Sequence, residues 1–267
     1  MKFSKFLSEA ISDGQYKTAI SVEDALNLIK TKCKNMDIHR PFWRGMSGGK
    51  SDSYIFKGES GKRVSANPKY GNYYTIIMDH FIKKQGSKYP LRSASIIAGN
   101  NANYKYTGIY GDRYAIFPLD TTIVGYIKAH DIWQILLEFP GSDTEYNLQE
   151  INKMLKDTSS DAIEISDASY EDFMRDIKKL FEMSEWSRSQ NQDKFCELFE
   201  HNFDLVEKTF ADIFKDHGDI YFFGHASDDN NIDDEYEVWI GGECIAIKES
   251  VYKEIMKELK WILKNFY

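Results

Sequence analysis

A chain of 267 residues with 42% hydrophobic and 28% charged residues can bury a full core, as one large domain or as one domain with an insertion. Its formal charge of −8 excludes broad electrostatic adhesion to nucleic acid, although a local basic groove is compatible with it. No apolar run is long enough to span a bilayer, and Cys33, Cys196 and Cys244 are too few and scattered for a disulfide framework, which points to a reducing cytoplasm.

In chain order, Ser21-Val22-Glu23-Asp24 opens a helix by side-chain capping, with Ala25, Leu26, Leu28 and Ile29 as its apolar face. After Pro41, Phe42 to Met46 reads as a strand, and Tyr54-Ile55-Phe56 as a brief one inside a polar loop over 47–71. Asn72 caps a helix beginning at Tyr73, and Ser93 to Ala98 forms the next strand. Arg113 to Phe117 and Thr122 to Tyr126 read as paired strands around Pro118-Leu119-Asp120, followed by a helix over Asp131 to Glu138. Residues 145 to 215 are polar, amphipathic and helix-prone, and predict a helical insertion at about 140–215 between two halves of a sheet. Strand pattern returns at Asp219 to Phe223. An acidic loop follows over Asp228 to Asp234. Strands at Tyr236 to Ile240 and Cys244 to Ile247 then flank Gly241-Gly242 as a hairpin, and a closing helix runs from Val251 to Phe266.

Three segments carry chemistry. Arg44 follows Phe42-Trp43, and its guanidinium offers a rigid fork for a phosphate, while Gly45 allows close approach to the backbone. A structural arginine paired with a carboxylate is the other reading. Ser93 and Ser95, one residue apart, place two hydroxyls on one strand face, where they can orient a carboxylate or line a ligand site, or form an ordinary surface face. Glu235 and Glu237 share a strand face beside Trp239; such a carboxylate can hold a ribose hydroxyl and steady an oxocarbenium ion, and the second can activate a nucleophile. An exposed acidic edge is the alternative, and Glu243 is a competing acid. The six histidines show no ligand-pair spacing on a helix, and the acidic loop lacks the glycine and closing glutamate of a calcium-binding loop, so no metal is expected.

Taken together, the segments resemble the Arg, Ser-x-Ser and Glu-x-Glu motifs of mono-ADP-ribosyltransferases of the arginine-serine-glutamate class. The resemblance covers roughly residues 40–135 and 219–248, and the serine motif reads Ser-Ala-Ser where Ser-Thr-Ser is common. It implies an α+β fold, with two small, mostly antiparallel sheets, surrounding helices and NAD in the cleft between the sheets. It implies Arg44 on the NAD pyrophosphate, Ser93 propping Glu237, Glu237 as the catalytic acid, and Glu235 activating the acceptor. NAD is then a substrate, bound by Arg44, Gly45, Ser93 and Ser95, and no metal takes part. Tyr73 and Tyr74 are placed either to stack on the nicotinamide ring or to pack their helix on the sheet. The resemblance also implies that E237Q folds normally yet releases no nicotinamide.

Met1 to Ala10 carries Phe3, Phe6, Leu7 and Ala10 at helical spacing, and reads as an ordinary amphipathic helix or as an address. It resembles the capsid-targeting peptides of internal head proteins of tailed bacteriophages, with Leu7-Ser8-Glu9 before Ala10 at the point where a prohead protease would cut. That resemblance implies that residues 1–9 are removed and that the protein travels in the phage virion interior into the host cytoplasm. There it would modify a host protein, arginine side chains included, or a nucleic acid. A non-enzymatic internal head protein that blocks a host defence factor is the alternative; a metal-dependent nuclease lacks a matching His or Lys pattern.

Overall fold

The computed structural model describes residues 15–46, 50–58, 73–85, 90–100, 111–127, 132, 136–138, 145–155, 169–216, 221–224 and 236–266. Strand β1 (Gln15–Ala19) leads to helix α1 (Val22–Lys32), whose first turn is capped by the Ser21 hydroxyl accepting the Asp24 N–H. There follow β2 (Phe42–Met46), β3 (Ser53–Gly58), α2 (Tyr73–Gln85), a single-turn helix (Arg92–Ala94), β4 (Ile96–Gly99), β5 (Asp112–Pro118) and β6 (Val124–Ile127). Next come β7 (Leu136–Glu138), β8 (Glu145–Asn147), α3 (Leu148–Leu155), α4 (Tyr170–Glu182), α5 (Gln190–Leu198) and α6 (Phe203–Asp216). The chain closes with β9 (Tyr221–Gly224), β10 (Glu237–Ile240), β11 (Glu243–Lys248) and α7 (Glu249–Phe266).

The fold is α+β. Nine strands form one hydrogen-bonded sheet, ordered β1-β3-β11-β5-β2-β4-β10-β6-β9, and every pairing in it is antiparallel. Instead of two separate sheets, this one sheet bends back on itself. The link Gly241-Gly242 shows why. Ile240 and Glu243 are three Cα steps apart, which reach at most about 11 Å. Their strands stand four places apart in the sheet, and four flat spacings measure about 19 Å. Only a curled sheet lets two residues make that crossing.

Curling gives the sheet two different faces. On the inner face the described residues that pack together come from the strands, among them Phe42, Phe56, Ile96, Tyr114, Tyr126, Val238 and Cys244. Phe42 and Tyr126 meet there with ring centroids 5.9 Å apart although β4 and β10 lie between their strands. The outer face is covered by helices. Ala25, Ile29 and Tyr252 of α1 and α7 pack on Trp43, Phe117 and Ile245, whereas α2 to α6 pack over Trp239 and Ile97.

Several predicted pairings differ. β10 and β11 are not a hairpin, and neither are β5 and β6, because each strand bonds to partners remote in sequence. Leu136–Glu138 is a strand paired with Glu145–Asn147, not the end of a helix. Helices α3 to α6 all fall between β6 and β9, which pair directly with each other. Capping boxes at Ser169/Asp172 and Ser189/Gln192 start α4 and α5, so these boundaries are local in origin.

Candidate functional site

Strand β4 lies between β2 and β10, so the three motif-bearing segments reach adjacent strands. Gly99 is opposite Trp43 on one side and opposite Glu237 on the other. Residues directly opposite one another in an antiparallel ladder share a face, and neighbours along a strand alternate. Trp43 and Glu237 therefore point to the outer, helix-covered face. Arg44 points to the inner one.

Side-chain contacts agree with that parity. The Arg44 guanidinium donates from Nη1 to the Ile97 carbonyl, and its Cζ lies 5.6 Å from the Phe56 ring centroid inside the curl. Lys17 sits 5.5 Å over the same ring, and burial, reinforced by the Arg44 charge, holds its pKa below the usual lysine value. The expected convergence of Arg44 with Glu237 across one crevice does not occur. The cause is register: one residue along a strand reverses the face.

The guanidinium that meets Glu237 is Arg92. The two groups are 3% and 1% exposed, and Arg92 Nη2 lies 3.1 Å from Glu237 Oε1. Arg92 Nε donates to the same oxygen at 3.2 Å, and Nη1 donates to Thr75 Oγ1 at 2.9 Å. Trp239 Nε1 also donates to Oε1, at 2.7 Å, while the backbone N–H of Ile132 donates to Oε2 at 3.1 Å. Arg92 further lies over the Trp239 ring, 5.9 Å from a centroid. All four residues of β10 are buried, which places the carboxylate between sheet and helices, where these donors offset the cost of burial.

Ser93 and Ser95 do not share a strand face. Ser93 lies in the single-turn helix before β4, and Ser95 caps that turn by donating its hydroxyl to the Leu91 carbonyl at 2.6 Å. Ser93 does not prop Glu237 either. Its N–H donates to both oxygens of Asp79, at 3.2 and 3.4 Å. Burial pushes the Asp79 carboxyl above its usual range, against the hydrogen bonds from Ser93 and the charge of Arg92. Thr75 and Asp79, four apart on α2, thus hold the Arg92-Ser93 turn from one helix face.

Tyr73 belongs to the core: it is buried and its ring lies 5.2 Å from that of Phe173 on α4, so helix packing accounts for it and a stacked nicotinamide does not. The Tyr74 side chain, Glu235 and the acidic loop over 228–234 lie outside the described residues. Gly45 is buried on β2 opposite Arg113. Glu243 opens β11, far along the sheet order from β10, and ion-pairs with Lys57 at 3.8 Å. Among the described residues no group of three or more His, Cys, Asp or Glu is arranged to hold a metal, and no helix is long and apolar enough to cross a membrane.

Sequence reasoning passed over Arg92, Thr75, Asp79 and Ile132. A signal did exist for two of them: Thr75 and Asp79 stand at helical spacing in an otherwise apolar stretch. No protein-family model, curated protein or solved structure matches the chain.

Proposed function

We propose that the protein is an NAD-dependent mono-ADP-ribosyltransferase built around Glu237, with Arg92 as the guanidinium that positions the acid. The observation that carries this reading is the adjacency of the three segments: Trp43, Gly99 and Glu237 stand in one row across β2, β4 and β10. A buried carboxylate also matches the chemistry, since negative charge in a dry, preorganised site stabilises a developing ribosyl cation far better than in water.

In the reaction, the bond between ribose C1″ and the nicotinamide nitrogen breaks, and both electrons leave with nicotinamide. The acceptor nucleophile forms the new bond to C1″ and gives up a proton, which Glu235 would take. Arg92 fixes Glu237 through Oε1. A ribose hydroxyl would bond at Oε2, in exchange for the Ile132 N–H. The acceptor is a host protein, arginine side chains included, or a nucleic acid, reached after delivery of the protein with a phage genome and removal of residues 1–9 by the prohead protease.

A second reading is favoured by one specific observation. Glu237 Oε1 already takes three protein donors, and Arg44 is on the other face, as expected of a transferase-like scaffold that binds and blocks a host defence factor without catalysis. Purified protein incubated with NAD separates the two. The transferase reading expects nicotinamide release and calorimetric NAD binding, and the absence of both leaves the binding-protein reading standing.

A further inference from the structure

Lys17 on β1 stands opposite Phe56 of β3, and Phe56 stands opposite Cys244 of β11, so the three side chains share the inner face of the curled sheet. Arg44 reaches the same place from β2. Lys17 Nζ and Arg44 Cζ lie 5.5 and 5.6 Å from the centroid of the one Phe56 ring. Cys244 registers the guanidinium independently: burial pushes its thiol above the usual range, and the Arg44 charge pulls against that rise. Arg44 is anchored there by Nη1 on the Ile97 carbonyl. Two cations gathered on one ring, with part of their water removed, repel one another.

The nearest acids along these strands are engaged elsewhere. Glu243 and Lys57, each next along its strand to Cys244 and Phe56, pair with one another on the outer face. Asp112 pairs with Lys248 at 2.7 Å. Among the described residues Lys17 enters no ion pair and no hydrogen bond; its neighbours are the Phe56 ring and the Arg44 charge. Both cations are half-buried, so solvent reaches the pair. An anion arriving there meets a guanidinium and an ammonium together. Two positive charges match the nearly double negative charge of a phosphate group better than the single charge of a carboxylate. We propose that the inner face of the sheet carries an anion site for a phosphate group, with Lys17 and Arg44 on its oxygens and the Phe56 ring beneath them. The site lies on the face opposite Glu237 and stands independently of the transferase reading.

The test uses the full chain without NAD, titrated calorimetrically with inorganic phosphate and with glycerol phosphate. Wild type binds, K17M and R44M each weaken binding about tenfold or more, and K17R retains most of it. K17M folds as wild type does, because Lys17 makes no hydrogen bond or ion pair in the described structure. Lysine 13Cε NMR supplies a second readout: an anion on the ammonium moves the Lys17 titration midpoint upward, which a purely structural lysine would not show. Glycerol phosphate binding as tightly as inorganic phosphate identifies a phosphorylated small molecule as the ligand, and binding of inorganic phosphate alone identifies the free ion; either supports the site. No binding of either to wild type overturns the proposal, as does equal affinity of K17M and wild type, or a Lys17 midpoint that phosphate leaves in place. Acetate bound as tightly as phosphate overturns the choice of a phosphate group. Phosphate binding that NAD displaces competitively would make the pair part of a dinucleotide site and overturn the proposal too.

Discussion

Replacing Arg92 by methionine keeps most of the side-chain volume and deletes the charge. The loss is the 3.1 Å ion pair with Glu237 Oε1, the 3.2 Å Nε bond to the same oxygen and the 2.9 Å bond to Thr75. What remains is a carboxylate 1% exposed that has lost its cationic partner, with Trp239 Nε1 and the Ile132 N–H still donating to it. Breaking a buried pair in this one-sided way costs about 3–5 kcal/mol, a large share of the about 5–15 kcal/mol that a domain has in total. At roughly 2–4 °C per kcal/mol for a chain of this size, the melting temperature should fall by about 6–20 °C.

E237Q should not be silent either, contrary to what the family resemblance implies. If its amide oxygen serves Arg92 and Trp239, its amide nitrogen faces the Ile132 N–H, donor against donor, at a cost of about 1–3 kcal/mol. The double variant R92M/E237Q restores neutrality and should be at least about 2 kcal/mol more stable than the sum of the two singles. Urea unfolding followed by tryptophan fluorescence measures all three. R92M within about 1 kcal/mol of wild type, or strictly additive variants, would show that this pair is not the clamp described here.

Other perturbations probe the rest of the sheet and its cover. R44M should lose about 1–2 kcal/mol of stability, from the bond to Ile97 and the contact with Phe56, while leaving nicotinamide release near wild type; abolished turnover with intact folding would return Arg44 to the site. G241A should destabilise by about 1–3 kcal/mol, because a Cβ there would stand 2.5 Å from Pro90 Cβ, and thermal melting reads the loss. Burial, aided by the Lys84 charge, lowers the His80 pKa from its ordinary value of 6.5. A histidine depressed in the folded state contributes stability above that value and loses it as pH falls, so wild type should lose more melting temperature than H80Q between pH 8 and pH 5. An unchanged difference between the two proteins across that range would remove His80 from the account.

Much of the local structure was legible. Phe42–Met46 is the strand expected after Pro41, and Ser21 and Asp24 form the cap that their spacing predicts. The short β1 went unread, because five mixed residues carry too little periodicity. Pairing was less legible than existence. Gly241-Gly242 and Pro118-Leu119-Asp120 have the composition of hairpin turns, yet both links carry the chain between distant parts of the curled sheet, a choice made by tertiary packing. The candidate site suffered most from this limit. Counting by two along a strand put Ser93 and Ser95 on one face, but Pro90 and Leu91 deliver the chain into a helical turn, and the arginine beside the serines became the partner of the acid.

The same geometry links the site to the helices beyond it. One face of α2 grips the Arg92-Ser93 turn through Thr75 and Asp79. Flanking positions on the same helix face α4: Tyr73 meets Phe173 with centroids 5.2 Å apart, and His80 stacks on Tyr170 at 3.7 Å. Consecutive residues Asp79 and His80 therefore touch the turn and the insertion respectively. A rigid helix cannot shift at one of these contacts without moving the other. Glu237 is held on the opposite side by β10 and on its second carboxylate oxygen by the Ile132 N–H, so the acid is positioned by three separately anchored pieces of chain. A change in how α4 seats on α2 reaches the acid through the Arg92 turn and through Trp239, which lies in the same core cluster as Tyr170 and Phe173 and donates to Glu237. These contacts make the insertion part of the site's mechanical support.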